Sequence, residues 1–266
     1  MTTLVSAREF VETYDPNSEI GPWEMVQQYY RATKASAELR GGNGGRAGSQ
    51  RVATHLDLPR SRLRAWIDDG GKPDAQHGLE RAINIGWIDV DTSSTTFAGL
   101  NRLVAQVFAG GSITADTYAP WFTLPSDEIE TWITEACRLV DVDYTILYRN
   151  EPGRATELRV AERGSILGRV LAALGAPIGE KAAIESLSLP DYLDEISQWH
   201  RLDFARIYVQ NRGAQYDTKD TISIREDRSQ EYRDEVAAFL EETIGEPVTS
   251  GDQDVTLSAD AARALE

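Results

Sequence analysis

From residue 97 onward the chain writes one order of elements twice, and few folds can hold such a sequence. An apolar helical period over residues 97–109 is followed by hairpin-like alternation in GGSITADTYAPWFTLPS (110–126). An amphipathic helix is predicted over 127–140. DYTILYRNEPGRATELRVAE (143–162) then reads as a second hairpin turning at Glu151-Pro152-Gly153, and 165–174 as a helix. The order recurs as a helix over 203–211, a hairpin in GAQYDTKDTISIRE, an acidic helix over 229–244, a hairpin in PVTSGDQDVTLS and a helix over 259–265. Gly111 falls on Gly213 and FTLPSDE (122–128) on ISIREDR (222–228), offsets of 102 and 100. A period this long is not a solenoid repeat; it fits two pseudo-symmetric halves of one domain. The expected class is therefore α+β: a duplicated αββαββα domain over 91–266, with halves at about 95–175 and 200–266 and a linker over 176–199.

Residues 1–90 read as a separate helical domain. A short helix and a loop are expected over 1–22 and an amphipathic helix over 23–39. GGNGGRAG (41–48) is a flexible break without the lysine and Ser/Thr of a phosphate loop. The stretch SQRVATHLDLPRSRLRAWIDD then has the spacing of a helix-turn-helix. Ser49 is its expected N-cap. Val52, Ala53 and Leu56 face inward on the first helix, Leu58 fills the turn, and Leu63 and Trp66 are the inward positions of the second. Asp57 stands where a turn glycine is usual. Arg60, Ser61, Arg62, Arg64 and Asp68 point outward, and arginines near such a helix start reach guanine edges or phosphates. A plain helical hairpin with a solvated arginine face is the alternative.

Charge supports the DNA reading locally while opposing it globally. The chain carries a net charge of −16, which repels a polyanion. Yet residues 31–64 hold eight cations (Arg31, Lys34, Arg40, Arg46, Arg51, Arg60, Arg62, Arg64) against Glu38 and Asp57, an island of +6. Among 27 basic residues only four are lysines. Many acids with few lysines is the look of a protein from a salt-loaded cytoplasm, haloarchaeal in character, the alternative being an acidic protein of a high-GC bacterium. In molar salt, surface repulsion is screened within about 3 Å.

The doubled order, with LGAPIGEK (174–181), LSLPDYL (187–193) and DFARIYVQNRG (203–213), resembles the two-repeat LAGLIDADG homing-endonuclease family. That resemblance implies two motif helices side by side at a pseudo-dyad, each ending in a metal-binding acid one residue before a glycine, and a β-saddle lying along the major groove. The motif stretches here are LVAQVFAGG (103–111) and ARIYVQNRG (205–213), and their acid positions hold Gly110 and Arg212. Asp116 and Asp203 lie too far along the chain to stand in. The resemblance thus implies binding without cutting, with no catalytic residue, metal or cofactor. A LAGLIDADG-like domain joined to a helix-turn-helix also resembles the WhiA family of bacterial sporulation regulators, in the reverse order.

The expected partner is double-stranded DNA, read in sequence by a monomeric transcription regulator. Its site residues are Arg46, Arg51, Arg60, Ser61, Arg62 and Arg64, with Arg149, Arg154 and Arg159 beside the saddle. Arg163, Lys219 and Arg225 are similarly placed, and all of the saddle cations could equally balance neighbouring acids. The stretch 225–266, with four arginines against twelve acids, is expected to meet a protein partner or to face brine. A metal-dependent nuclease with displaced acids and a protein-interaction module are the competing functions. His55, His77 and His200 share no ligand spacing; Cys137, Trp121, Trp132 and Trp199 read as core. No apolar run long enough for a membrane span and no secretory leader is seen, so a cytoplasmic protein is expected.

Overall fold

The computed structural model describes residues 2–14, 20–39, 45–184, 186–215 and 219–265. Arg40, residues 41–44 of the glycine-rich break, residues 15–19 of the N-terminal loop and residues 216–218 of a predicted hairpin lie outside them. The chain divides into two compact units, Ser6–Ile85 and Gly86–Glu266 together with Met1–Val5. The helical unit is narrower than the sequence suggested. Strand β1 (Thr3–Leu4), where a helix and loop were expected, pairs antiparallel with β2 (Val90–Asp91), placing Thr3 opposite Asp91. The first residues are thereby tied to the larger unit.

The helical unit contains α1 (Ala7–Glu12), α2 (Pro22–Glu38), α3 (Ser49–Leu56), α4 (Arg60–Ile67) and α5 (Asp74–Ile85). Helix α1 starts on a capping box: the Ser6 hydroxyl accepts from the Glu9 amide, and the Glu9 carboxylate accepts from the Ser6 amide at 2.8 Å. Proline at the first position of α2 gives up an amide that has no helical partner anyway. Ala32, Ala35, Ala47, Val52, Ala53, Leu63 and Trp66 form one buried cluster where α2, α3 and α4 meet. Small residues on α2 and α3 let the backbones approach, so Leu63 is wholly buried, which stabilises the unit by roughly 1.5–3 kcal/mol.

The larger unit holds two four-stranded antiparallel sheets of identical strand order. The first runs β3 (Gly111–Ile113), β4 (Pro120–Thr123), β6 (Glu157–Val160), β5 (Tyr144–Leu147). The second runs β7 (Gly213–Gln215), β8 (Ile222–Arg225), β10 (Asp254–Leu257), β9 (Val248–Ser250). Helices α6 (Thr95–Ala109), α7 (Asp127–Leu139) and α8 (Gly164–Ala173) accompany the first; α9 (Gln198–Arg212), α10 (Gln230–Ile244) and α11 (Ala259–Ala264) accompany the second. Ser94, Ser126, Ser229 and Ser258 each accept a hydrogen bond from the amide three residues on, which fixes where α6, α7, α10 and α11 begin.

Helices α6 and α9 pack side by side at the centre. Helix α6 is apolar nearly all round, as a helix covered on every side must be. Polar rungs link the pair. Asn101 donates to the His200 carbonyl at 2.9 Å, and Arg102 pairs with Asp203 at 2.8 Å and with Glu135 of α7 at 2.8 Å. Helix α9 begins five residues before its expected start. Trp199 therefore lies in its first turn, off the packed face, and is 58% exposed rather than core. Cys137 is fully buried, and burial pushes its thiol up to about 12. No helix among the described residues is long and apolar enough to cross a membrane.

Candidate nucleic-acid interface

In the helical unit, α3 and α4 are joined by Asp57-Leu58-Pro59. Asp57 ends α3 in the left-handed region (φ 53°, ψ 47°), and the Leu58 amide returns to the Ala53 carbonyl at 3.1 Å. Aspartate thus serves in a position that favours glycine. Proline at the N-cap of α4 then starts the second helix directly. Leu63 and Trp66 lock α4 inward, with Trp66 edge-on to Tyr29 of α2 at 5.7 Å.

Ser49 is not the N-cap that the sequence suggested. Gly48 occupies that position without a side-chain cap, and Ser49 is the first helical residue. The cap comes from far along the chain. The Asp68 carboxylate, at the C-terminus of α4, accepts from the Ser49 amide at 2.9 Å and from its hydroxyl at 2.5 Å. These hydrogen bonds, then the charges of Arg60 and Arg64, hold the Asp68 carboxyl below its ordinary value. Asp68 is therefore a clasp between helices rather than an outward-facing contact.

The arginines separate by role. Arg60, Ser61 and Arg64 are arrayed on α4, Arg60 and Arg64 exposed; Arg51 is exposed on α3, and Arg46 is exposed ahead of it. Arg62 turns away: it is half-buried and donates to the Gln28 amide oxygen of α2 at 2.7 Å. Over residues 46–69 five arginines accompany Asp57, Asp68 and Asp69, so the surface is moderately basic.

In the larger unit, the ends of α6 and α9 carry amides just ahead of Gly110 and Arg212, the positions where the resemblance placed acids. Gln106 and Asn211 exchange reciprocal hydrogen bonds at 2.7 and 3.1 Å, and Gln106 also donates to the Thr123 carbonyl. Gly110 ends α6 so close to this pair that a Cβ there would lie 2.7 Å from Asn211 Oδ1. Arg212 donates to the Arg225 carbonyl at 2.9 Å and lies 3.3 Å from the buried Glu226. Amides and a guanidinium are a poor ligand set for a divalent cation, which calls for carboxylate oxygens. Among the described residues no group of three or more His, Cys, Asp or Glu could hold one.

The saddle arginines are dispersed. Arg149 pairs with Glu130 of α7, and Arg154 lies over the Tyr148 ring at 3.2 Å. Arg159 stands on the outer sheet face in register with Trp121 and Thr145. Arg163 pairs with Asp141, and Arg225 with Asp227, each at 3.1 Å. On the second sheet one outer row is Ala214, Ser223, Thr256 and Thr249, and the next row of the same face sets Arg225 opposite Asp254, so the face carries no net charge. Sequence reasoning missed the Gln106–Asn211 pair, Glu226 and Lys181. Gln106 and Asn211 are 105 residues apart, off the repeat offset of 102, so the duplication gives no signal that would have found them.

No family model matches this chain, and no curated protein matches it. The chain is similar to solved structures of LAGLIDADG-containing proteins. The N-terminal LAGLIDADG domain of DUF199/WhiA superposes with a TM-score of 0.44 at 11% identity, covering 69% of this chain and 89% of that one. Full-length DUF199/WhiA from Thermatoga maritima gives 0.44 at 10%, covering 69% of this chain and 60% of that one. The homing endonuclease I-WcaI bound to its DNA recognition sequence gives 0.46 at 10%, covering 74% and 88%.

Proposed function

We propose that this chain is a sequence-specific double-stranded-DNA-binding protein, a transcription regulator that binds without cutting. The reading unit is α3-turn-α4. The observation that carries this is the outward Arg60, Ser61 and Arg64 on the first turns of a short helix held rigidly by Leu63, Trp66 and the Asp68–Ser49 clasp. Arginines at the start of such a helix donate in pairs to guanine O6 and N7, each good pair discriminating by about 1–3 kcal/mol. Arg46 and Arg51 meet phosphates and set the register.

The larger unit acts as a scaffold rather than a nuclease. Its helix ends present Gly110, Gln106, Asn211 and Arg212, which supply neither metal ligands nor a base for water. The surrounding acidity is an adaptation to a salt-loaded cytoplasm. Fluorescence anisotropy against a selected duplex tests the reading. Arg60→Ala with Arg64→Ala weakens specific binding about tenfold or more, while Arg62→Ala weakens it less. Equal affinity of the double variant and the parent for the selected site sinks the assignment.

A further inference from the structure

A second basic cluster lies in the larger unit, around the C-terminal end of α6. Lys181 donates to the carbonyls of Val107 at 2.7 Å, Gly111 at 2.8 Å and Phe108 at 3.3 Å. Arg228 reaches the Phe108 carbonyl at 3.4 Å, and Arg212 lies beside both. These three cations line one cleft of about 660 Å³, together with Ser229 and Tyr232, opposite an apolar wall that includes Ile184 and Leu187. The size falls in the range of small-molecule sites.

The charges do not balance. Glu226 is the buried carboxylate, 1% exposed, shared at 3.3 Å by Arg212 and Arg228 and held by the Tyr208 hydroxyl at 2.9 Å. Asp227 is at the rim and pairs with Arg225 instead. Glu185 is outside the described residues. Among the described lining residues three cations thus meet one buried anion. Counting Asp227 as well, and about half a charge offset by the α6 C-terminus, the described lining keeps a positive excess of about half a charge. The strain shows in Lys181, whose pKa is brought down to about 8 by burial first and then by Arg228 and Arg212. Arg212 Nε is sealed from solvent with no hydrogen-bond partner, so it adds uncompensated charge to the cleft wall rather than a contact. One donor set remains for a ligand at the start of α10, a helix of fifteen residues: Ser229 caps the Tyr232 amide, while the amides of Gln230 and Glu231 have no partner inside the helix.

We propose that this cleft is an anion site that takes the phosphate group of a small phosphomonoester, between Arg212, Arg228 and the N-terminus of α10. Lys181, whose three donors are engaged by carbonyls, contributes field rather than contact. The apolar wall and the Tyr232 edge take the body of the ligand. In an acidic chain, three cations gathered around one buried carboxylate are a specific recess for an oxyanion. The proposal does not rest on the DNA reading, since every residue in it belongs to the larger unit.

The test uses the full chain at constant ionic strength, with inorganic phosphate, adenosine 5′-monophosphate and adenosine as probes. Thermal melting and equilibrium dialysis are read together. Adenosine 5′-monophosphate is expected to raise Tm and bind more tightly than inorganic phosphate, with adenosine inert. Arg212→Gln and Arg228→Gln each weaken nucleotide binding at least tenfold while circular dichroism stays unchanged. If either variant fails to fold, ³¹P line broadening of the nucleotide by the parent chain, reversed by excess inorganic phosphate, still decides the point. Failure of both phosphate probes to bind the parent overturns the proposal, as does full retention of binding in both folded variants. If inorganic phosphate binds as tightly as the nucleotide, the small-molecule body has no place in the cleft and that part is wrong. Displacement of the nucleotide by a short duplex at lower concentration overturns it in favour of a DNA phosphate.

Discussion

Arg60, Arg62 and Arg64 lie within five residues of α4, yet the fold gives them different tasks. Arg60 and Arg64 are exposed, with Arg60 Nε 3.5 Å from Ser49 Oγ, whereas Arg62 is half-buried and bonded to Gln28. Arg62→Ala is therefore expected to lower the stability of the helical unit by about 0.5–1.5 kcal/mol, with the smaller effect on DNA affinity. Urea denaturation beside anisotropy separates the two. Asp68 offers a pH test. Its folded pKa is depressed, so its stabilisation is present above the unfolded aspartate pKa and lost as pH falls through the folded one. Asp68→Ala should lower Tm at neutral pH and flatten the loss of stability below pH ~4. An unchanged acid limb in the variant would show that the clasp does not hold α3 to α4. None of this division was legible in the sequence. Ser49 and Asp68 are nineteen residues apart, and Ser49 carries every local mark of an N-cap.

At the scale of elements, the sequence was informative wherever structure is set locally. Turn residues and hydrophobic period placed the helices and hairpins of residues 97–265 within about five positions. It was least informative where an element is completed by a distant partner. Strand β1 exists because β2 returns to it from far along the chain, and Trp199 is exposed because α9 starts earlier than its apolar period. The helix ends give a sharper test. Gly110→Asp, which restores an acid at the motif position, should destabilise the larger unit, because a Cβ there lies 2.7 Å from Asn211 Oδ1 and 3.2 Å from Gln106 Nε2, and these side chains can move aside only by giving up their reciprocal hydrogen bonds. Adding Asn211→Gly should recover part of the loss. Equal melting of Gly110→Asp and the parent would contradict the packing of α6 on α9. Lys181 sets a basic limb. Folding lowers its pKa from 10.5 to about 8, so between these values the unfolded chain holds a proton the folded one has shed. Stability should rise by roughly 1–2 kcal/mol from pH ~8 to ~9.5, a slope that Lys181→Met removes.

For the whole molecule, a net charge of −16 with four lysines predicts dependence on salt. Self-repulsion among the acids is screened at high ionic strength, so Tm should rise between about 0.15 and 2 M KCl. A flat or falling Tm would point to the high-GC alternative. On the proposed reading, a salt-loaded cytoplasm would weaken phosphate contacts, so DNA affinity would come largely from base edges, which places the burden on Arg60 and Arg64. The outer face of the second sheet, where Arg225 stands opposite Asp254, is consistent with that division, since it offers a duplex no net positive charge. The most direct test of the central claim is selection from random duplex DNA by the full chain in the presence of Mg²⁺, sequencing the bound molecules and checking them for cuts. One enriched motif on intact DNA, lost with Arg60→Ala and Arg64→Ala, is the predicted result. Absence of any enriched motif, or cleavage at it, would contradict binding without cutting.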